Sequence, residues 1–346
     1  MVIITDTTKD RCPGLHPRRL AALMRDAVER CRLNLTGRVV LTEAASGAYV
    51  VTPVLAAMAG AARVHALTRA TVYGTVEEVT AQTCELAAEV GVADRIVIAT
   101  QRSRDIVAEA DIVTNSGHVR PIDAEMVAWM KPTAVVPLMY EAWEFRPGDV
   151  DLDACRSRGI RIAGTNEQHP AVDVFSFLGI MAVKLLLDAG VPVQGSRLLV
   201  LCDNAFGPYI EQGLQRAGAN VDMTDRPGSA VGKNGYDAIV VAATPGRQPV
   251  VGAANALLSA CEISARWPGA VVGQFWGDID REALAAEKIP YWPLAGVPPG
   301  HMGILPAAVG AEPVVRLQCG GLKVGEVLAR GVVKPGDADA AFLQIL

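Results

Sequence analysis

The sequence has no cluster of basic residues, since its longest run of Lys or Arg is the pair Arg18 and Arg19. Charged residues make up only 20% of the 346 residues, and the formal net charge is −5. Proteins that bind nucleic acid or an anionic membrane surface usually carry a basic patch. We therefore expect neither nucleic acid nor a membrane among the partners of this chain.

Closely spaced cysteine pairs are absent as well. The seven cysteines are an odd number, lie far apart and include no C-x-x-C pair. Zinc sites need closely spaced ligands, and disulfide frameworks need an even number of cysteines in a secreted context. The cysteines therefore predict reduced thiols that mostly fill the core, with no metal site.

Long apolar segments are also missing. The best candidate, residues 175–187, is interrupted by Lys184, whereas a bilayer span needs about 18 apolar residues. Residues 1–6 are strand-like and lack the basic start of a signal peptide. These absences predict a soluble cytoplasmic protein.

Hydrophobic residues are abundant, at 51% of the chain, and apolar strand patterns alternate with helical ones, which is typical of parallel α/β architecture. Because single cores tend to split beyond about 250–300 residues, we expect two domains. The first would comprise residues 1–168 and the second 169–324, after which a C-terminal helix, 325–346, would pack back on the first. The predicted strands are 39–42, 64–67, 96–99, 112–115, 134–138 and 160–163 in the first sheet and 198–201, 220–223, 238–242, 270–273 and 291–293 in the second; the main predicted helices include 17–31, 171–189, 208–217 and 308–329.

Residues 197–225 have the layout of a dinucleotide-binding strand, turn, helix and strand. The fingerprint G-x-G-x-x-G would place glycine at 202, 204 and 207, and this chain has Cys202, Asn204 and Gly207 there, with Phe206 before the last. Asp225 ends the second strand, where an acid binds a ribose hydroxyl. Asp225 favours NAD, and the adjacent Arg226 leaves NADP open. A Rossmann unit that binds nothing in the usual place is the alternative.

Several segments, taken in order, resemble the D-isomer-specific 2-hydroxyacid dehydrogenase family. The first is D-V-D-L-D-A-C-R-S-R-G-I, residues 149–160, followed by G-T-N at 164–166. The nucleotide unit comes next, then A-A-T-P at 242–245 and G-D-I-D-R-E-A-L at 277–284. The resemblance implies two Rossmann-like domains with parallel sheets and an interdomain cleft, a homodimer, and NAD or NADP bound near residues that include Thr244 and Pro245.

The resemblance also implies a 2-hydroxy or 2-keto acid as substrate and a histidine as acid/base group. His301, in P-G-H-M-G, stands at that position, and its side chain suits proton transfer near neutrality. Trp276 replaces the family's substrate-binding arginine, and it could stack on a substrate or fill an interface. The family's glutamate has no counterpart, because residues 291–300 contain no Asp or Glu.

Three loops of the first domain are further candidates. The loop of Asn115, Ser116, Gly117, His118 and Arg120 resembles the family's substrate-carboxylate loop and could supply the missing cation. Glu141 lies in an aromatic and acidic segment, residues 140–146, which suggests a remodelled pocket or a dimer contact. A turn at Ser46 and Gly47, with Arg69 beyond the next strand, could meet a phosphate or be an ordinary helix cap.

We therefore expect a divergent NAD(P)-dependent oxidoreductase that acts on a small metabolite. The alternative is a non-redox Rossmann protein, either a binding or partner subunit or a lyase or transferase, that has lost hydride transfer.

Overall fold

The computed structural model describes residues 12–226, 235–331 and 337–346, and it divides into two compact units. The first unit holds the described residues up to Val174 and again from Gly310, and the second runs from Phe175 to Val309. The sequence predicts one domain boundary between residues 168 and 169 and a second between residues 324 and 325. The second boundary differs because the whole of helix 312–329 packs with the first unit.

Helices and strands alternate along the chain. The helices are α1 (Pro17–Cys31), α2 (Val51–Met58), α3 (Val76–Glu89), α4 (Arg104–Glu109), α5 (Ala124–Trp129), α6 (Leu152–Ser157), α7 (Leu178–Asp188), α8 (Gly207–Arg216), α9 (Ala260–Arg266), α10 (Arg281–Ala286) and α11 (Glu312–Ala329). The strands are β1 (Val39–Glu43), β2 (Arg63–Leu67), β3 (Ile96–Ala99), β4 (Ile112–Val113), β5 (Val135–Pro137), β6 (Arg161–Thr165), β7 (Arg197–Leu201), β8 (Asn220–Thr224), β9 (Ala238–Val241), β10 (Val251–Gly252), β11 (Leu258–Ser259), β12 (Val271–Gln274), β13 (Tyr291–Trp292) and β14 (Leu343–Gln344).

The first unit is built on a seven-stranded sheet in the order β14-β6-β5-β4-β1-β2-β3. All neighbours pair in parallel except β14, which pairs antiparallel with β6. The carboxyl ends of the six parallel strands therefore meet at one edge of the sheet, which is where open α/β sheets bind ligands. We call it the first carboxyl edge.

Helix α11 is buried along most of its length because small residues bring it close to the first sheet. A Cβ at Gly321 would lie 2.5 Å from the Sδ of Met139, and one at Gly325 would lie 2.7 Å from the Cγ2 of Ile112. The helix ends at Ala329, and residues 338–344 form a 3-10 turn and β14. The predicted C-terminal helix over 325–346 is therefore wrong beyond Ala329 in the described residues.

The second unit contains a five-stranded parallel sheet in the order β13-β12-β9-β7-β8, with β10 and β11 forming a small parallel pair. Two parallel sheets with helices confirm the predicted α/β class of Rossmann-like units. The sheet's carboxyl ends, which we call the second carboxyl edge, carry the turn after β7 and the segments after β9 and β12.

The helix predicted over 171–189 is shorter than expected. Helix α7 begins at Leu178, after a 3-10 turn at Phe175–Phe177. Asp173 has a φ of 48°, which lies in the left-handed region and cannot continue a right-handed helix. Apolar periodicity alone does not reveal this break.

No helix among the described residues is long and apolar enough to cross a membrane. Four of the seven cysteines are buried in the core, as expected: Cys31, Cys155, Cys202 and Cys319.

Candidate functional site

The loop after β4 lies at the first carboxyl edge and is tied to the neighbouring strands. The buried Asn115 accepts a hydrogen bond from the backbone N–H of Met139 through its Oδ1, at 2.7 Å. Ser116 is buried beside two threonine hydroxyls, with its Oγ 2.7 Å from that of Thr114 and 3.4 Å from that of Thr42. This network fixes the start of the predicted substrate loop.

Glu43, the last residue of β1, holds the middle of the same loop. Its Oε2 accepts from the backbone N–H of His118 at 2.9 Å. A Cβ at Gly117 would lie 3.2 Å from that oxygen, so a larger residue would crowd the contact. Burial lowers the pKa of the His118 ring, and Arg69 lowers it further against the opposing effect of Glu43. His118 is therefore neutral at neutral pH.

Arg120 ends the loop and pairs with Asp149, with 2.8 Å between Nη1 and Oδ2. The hydroxyl of Tyr140 donates to the same carboxylate oxygen at 2.6 Å. Burial raises the pKa of Tyr140, and the hydrogen bond to Asp149 adds to the rise. The ion pair holds the guanidinium at the first carboxyl edge.

Glu141 is almost fully buried and accepts hydrogen bonds from the backbone N–H of Glu167 and from the side chains of Gln344 and Trp143. Burial raises the pKa of Glu141, raises that of Glu144 to about 7, and raises that of Glu167 well above the usual carboxyl range. Glu167 was missed from the sequence, although it follows a strand end. In the part of the chain that the structure describes, no group of His, Cys, Asp or Glu is arranged to hold a metal.

The turn at Ser46 and Gly47, predicted to meet a phosphate or to cap a helix, also follows a strand of the first carboxyl edge. Ser46 precedes a 3-10 helix at Gly47–Val50, and its side chain makes no capping hydrogen bond within the described residues. Arg69 instead approaches the substrate loop, with Nη2 3.5 Å from the carbonyl oxygen of Gly117.

The predicted nucleotide turn follows β7 in the second unit. Its Asp203 accepts hydrogen bonds at Oδ1 from the backbone N–H and the hydroxyl of Thr244, at 2.8 and 2.9 Å. Burial alone would raise the pKa of Asp203, but the bonds from Thr244 lower it below its usual value. The turn is thereby fastened to the segment after β9, which continues to the half-buried Pro245.

Asn204 fills the inside of this turn. Its Oδ1 accepts from the backbone N–H of Phe206 at 3.0 Å, and its Nδ2 donates to the carbonyl of Ala242 at 2.8 Å. The backbone N–H of Gly207 also points at the carbonyl of Asn204, at 3.3 Å. The side chain therefore pairs the N–H of Phe206 and the backbone carbonyl pairs that of Gly207, two groups of the kind that face a pyrophosphate in a glycine-rich turn. Cys202 is buried beneath it.

Two positions keep the arrangement that a dinucleotide needs. Helix α8 begins at Gly207, where a Cβ would lie 2.9 Å from the Sδ of Met223, so glycine permits close packing of helix on strand. Asp225 is exposed directly after β8, which pairs with β7. Arg226 is exposed beside it, and its N–H donates to the hydroxyl of Thr224 at 3.0 Å.

His301 lies on a loop that is held to the end of β12. The indole N–H of Trp276 donates to the carbonyl of Gly300 at 3.1 Å, and the carboxylate of Asp278 accepts from the N–H of Gly300 at 3.1 Å. Trp276 is buried, and its ring lies 5.2 Å from that of Phe206 in the nucleotide turn. The turn, Trp276 and the His301 loop therefore form one connected cluster at the second carboxyl edge.

An arginine that the sequence analysis did not consider also lies at this edge. Arg281, at the start of α10, donates through Nη2 to the Oε1 of Gln274 at 2.7 Å and to the carbonyl of Pro293 at 3.4 Å. It braces the segment that leads to His301. Its position five residues after Trp276 gives no sequence signal of this role.

Comparisons with known proteins show the fold. No family model matches the sequence, and no curated protein matches it significantly. A dipicolinate synthase subunit from Bacillus halodurans is similar in structure, with 11% identity, a TM-score of 0.51, and coverage of 87% of this chain and 100% of that chain. The corresponding dipicolinate synthase polypeptide from Bacillus subtilis has 12% identity, a TM-score of 0.53, and coverage of 86% and 98%.

NAD-bound 3-phosphoglycerate dehydrogenase from Entamoeba histolytica is less similar, with 10% identity, a TM-score of 0.44, and coverage of 86% and 98%. At these identities the two dipicolinate synthase structures show the fold alone, which is the two-unit α/β architecture that the sequence predicted. Because fold does not set function, the activity has to be argued from the site.

Proposed function

We propose that this chain is a divergent NAD(P)-dependent oxidoreductase that acts on a small 2-hydroxy- or 2-keto-acid-like metabolite. The observation that carries the proposal is the cluster of Phe206, Trp276 and the His301 loop, because it joins a nucleotide-type turn to an acid/base candidate. In this proposal the first unit holds the substrate and the second holds the nucleotide, in a cytoplasmic homodimer.

The residues of the second unit suit the ribose of a dinucleotide better than its diphosphate. Asp225 suits a ribose hydroxyl, and Gly207 suits the close approach of helix and strand. Asn204 does not suit the usual pyrophosphate cradle, because it already accepts from the N–H of Phe206. We infer that the diphosphate is held less by backbone N–H groups here than in a glycine-rich turn.

His301 is the acid/base group in this proposal. A bound nicotinamide would supply or accept the hydride, and the imidazole would give or take the proton of the substrate hydroxyl. The bonds from Trp276 and to Asp278 hold the backbone at Gly300, directly before His301. The predicted substrate loop of the first unit, Asn115 to Arg120, would contribute the substrate contacts.

The alternative is a non-redox protein that has kept the fold, either a binding or partner subunit or a lyase or transferase. The closed turn at Asn204 favours it, since a turn whose N–H groups already have partners has less to offer a phosphate.

Titration with NADH and NADPH separates the two proposals. We expect calorimetry to show micromolar binding that weakens about tenfold in Asp225→Ala, because one charge-assisted hydrogen bond is lost. Glu287→Ala, which removes another exposed acid of the second unit, is the control and should bind as the wild type does. No binding of either nucleotide to folded protein would refute the oxidoreductase proposal.

A second measurement addresses the acid/base role. His301→Gln should retain NADH affinity within about twofold while lowering turnover of keto acids by about 100-fold or more. Unchanged turnover would remove His301 from the mechanism.

A further inference from the structure

A cavity of about 250 Å³ opens at the first carboxyl edge, beside the predicted substrate loop. Its polar lining consists of Thr68, Arg69, Thr100, Arg102, His118 and Arg120. We propose that this cavity binds an oxyanion group, carboxylate or phosphate, of a small metabolite with more than one negative charge. The proposal names the substrate class of the proposed oxidoreductase, but its geometry lies entirely within the first unit.

The three arginines converge from three different strand ends. Arg69 follows β2, Arg102 follows β3, and Arg120 follows β4. Parallel strands end at the same edge, so residues far apart in sequence meet around one cavity. Three guanidinium groups around a space of this size make it an electropositive pocket, and arginine suits the two oxygens of a carboxylate or phosphate.

Two of these guanidinium groups are paired with carboxylates that do not line the cavity. Arg102 donates to the carbonyl of Pro121 at 2.7 Å and to the carboxylate of Asp123 at 3.0 Å. Arg120 bonds to Asp149 through Nη1. Asp123 and Asp149 are not part of the cavity lining. Because a guanidinium has five N–H donors, these bonds orient each arginine and leave donors for a ligand.

Arg69 contributes the third charge. Its distance of 3.5 Å from the carbonyl of Gly117 makes this a weak hydrogen bond. Glu43 is the nearby opposing charge, but its Oε2 accepts from the backbone N–H of His118 and it is not among the lining residues. The charge that faces the cavity is therefore predominantly positive.

Two buried polar atoms in the lining provide independent support. The Oγ1 of Thr68, in a residue only 2% exposed, has no hydrogen-bond partner within the described residues, and neither has the Nδ1 of His118. Buried polar groups in folded proteins are almost always paired with protein, water or ligand. A hydroxyl and a neutral imidazole can each donate to an oxyanion, so one bound group would satisfy both atoms.

The size of the cavity limits the ligand. Sites for drug-sized ligands and cofactors enclose roughly 300–1,000 Å³, so about 250 Å³ fits a small acid or one acidic group and not a dinucleotide. Arg69 and Arg102 supply cations that no family motif in the sequence indicates.

Calorimetric titration of the full chain with malonate, inorganic phosphate and acetate, at constant ionic strength and without dinucleotide, tests the proposal. We expect saturable binding of malonate or phosphate and binding of acetate that is at least about tenfold weaker, since acetate carries one charge. Tighter malonate binding would assign a polycarboxylate, and tighter phosphate binding would assign a phosphorylated acid.

Single substitutions test whether the anion binds in this cavity. Arg69→Gln should weaken the preferred anion about tenfold, and Thr68→Val, which keeps the side-chain shape, should weaken it several-fold. Arg18→Gln removes an exposed charge from α1 of the same unit and should have no effect. Thr68→Val keeps the test decisive should Arg69→Gln fail to fold.

Absence of saturable binding, or equal weakening in Arg18→Gln and Arg69→Gln, would overturn the proposal. Because these titrations contain no nucleotide, they are independent of the NADH experiment. Failure of NADH to bind with the anion bound normally would refute the oxidoreductase and leave the anion pocket standing.

Discussion

The nucleotide turn at the second carboxyl edge and the cavity at the first differ in how far their polar groups are paired by neighbouring groups of the protein. At the second edge, Asp203, Asn204 and Trp276 each have hydrogen-bond partners supplied by neighbouring backbone and side chains. At the first edge, Thr68 and His118 hold buried atoms without a partner in the described chain, next to three arginines. Buried atoms without a partner within the described residues also occur at the second edge, at the Nε2 of Gln274 and the Nε of Arg281. The difference therefore lies between the nucleotide turn, whose polar groups are paired, and the cavity lining, where a ligand could pair Thr68 and His118.

The largest expected effect comes from breaking the second edge. A Cβ at Gly303 would lie 2.0 Å from the carbonyl oxygen of Gln274, so Gly303→Ala has to displace the His301 loop. We expect the free energy of unfolding to fall by about 3 kcal/mol and turnover to be lost. Thermal unfolding and keto-acid turnover measure both effects.

Gly296→Ala is the matched control, because a Cβ there meets nothing within 4 Å. Malonate affinity at the first edge should survive in folded Gly303→Ala. Joint loss of turnover and anion binding would contradict the independence of the two edges.

Removal of the Asn204 side chain tests whether the paired nucleotide turn limits nucleotide binding. Asn204→Gly removes the acceptor from the N–H of Phe206 and restores a fingerprint glycine. We expect NADH affinity to rise about tenfold, because the freed backbone N–H of Phe206 can meet the diphosphate. Calorimetry of the variant beside Asn204→Ala separates loss of the side chain from the conformational freedom of glycine. Weaker binding in both variants would show that Asn204 contacts the nucleotide.

Two threonines of the first edge test the cost of an unpaired hydroxyl. Thr68→Val should raise the free energy of unfolding by about 1 kcal/mol, because it removes a buried hydroxyl without a partner in the described residues. Thr114→Val should lower it by about 1 kcal/mol, because its hydroxyl bonds to those of Thr42 and Ser116. Denaturant unfolding in anion-free buffer measures both, and equal signs would argue against this explanation.

The smallest effect concerns the acidic part of the first edge. Burial raises the pKa of Glu144 to about 7. A carboxyl whose pKa is raised by folding contributes stability below its unfolded pKa, near 4.5, and loses it as the pH rises through about 7. Glu144→Gln should therefore stabilise the protein at pH 8 by up to about 1 kcal/mol, with a smaller effect at pH 5. Unfolding midpoints at the two pH values measure this, and a larger gain at pH 5 would contradict the burial of Glu144.

Much of the fold could be predicted because its strands are apolar runs bounded by turns. Strands β1 and β7 and helix α1 lie where the pattern of apolar residues placed them. The break before α7 could not be predicted, because it depends on the left-handed backbone of Asp173.

Part of the candidate site could also be predicted from the sequence, and part could not. The loop from Asn115 to Arg120 could be found because it follows a strand, and so could the turn after β7. Arg69 and Arg102 join it in one cavity only because β2, β3 and β4 run parallel in one sheet, and that order is not written in the local sequence. The unpaired hydroxyl of Thr68 is a property of packing.

Helix α11 and strand β14 have a consequence for the order in which the protein is made. Both belong to the first unit, although they follow the second unit in the chain. Since domains generally fold as units during synthesis, the second unit emerges from the ribosome with all its strands before the first has its central helix. The growing chain must therefore keep the apolar face of an unfinished sheet from aggregating until the segment from Gly310 onward has been made. A chaperone that binds nascent chains would find this face exposed during translation of the second unit.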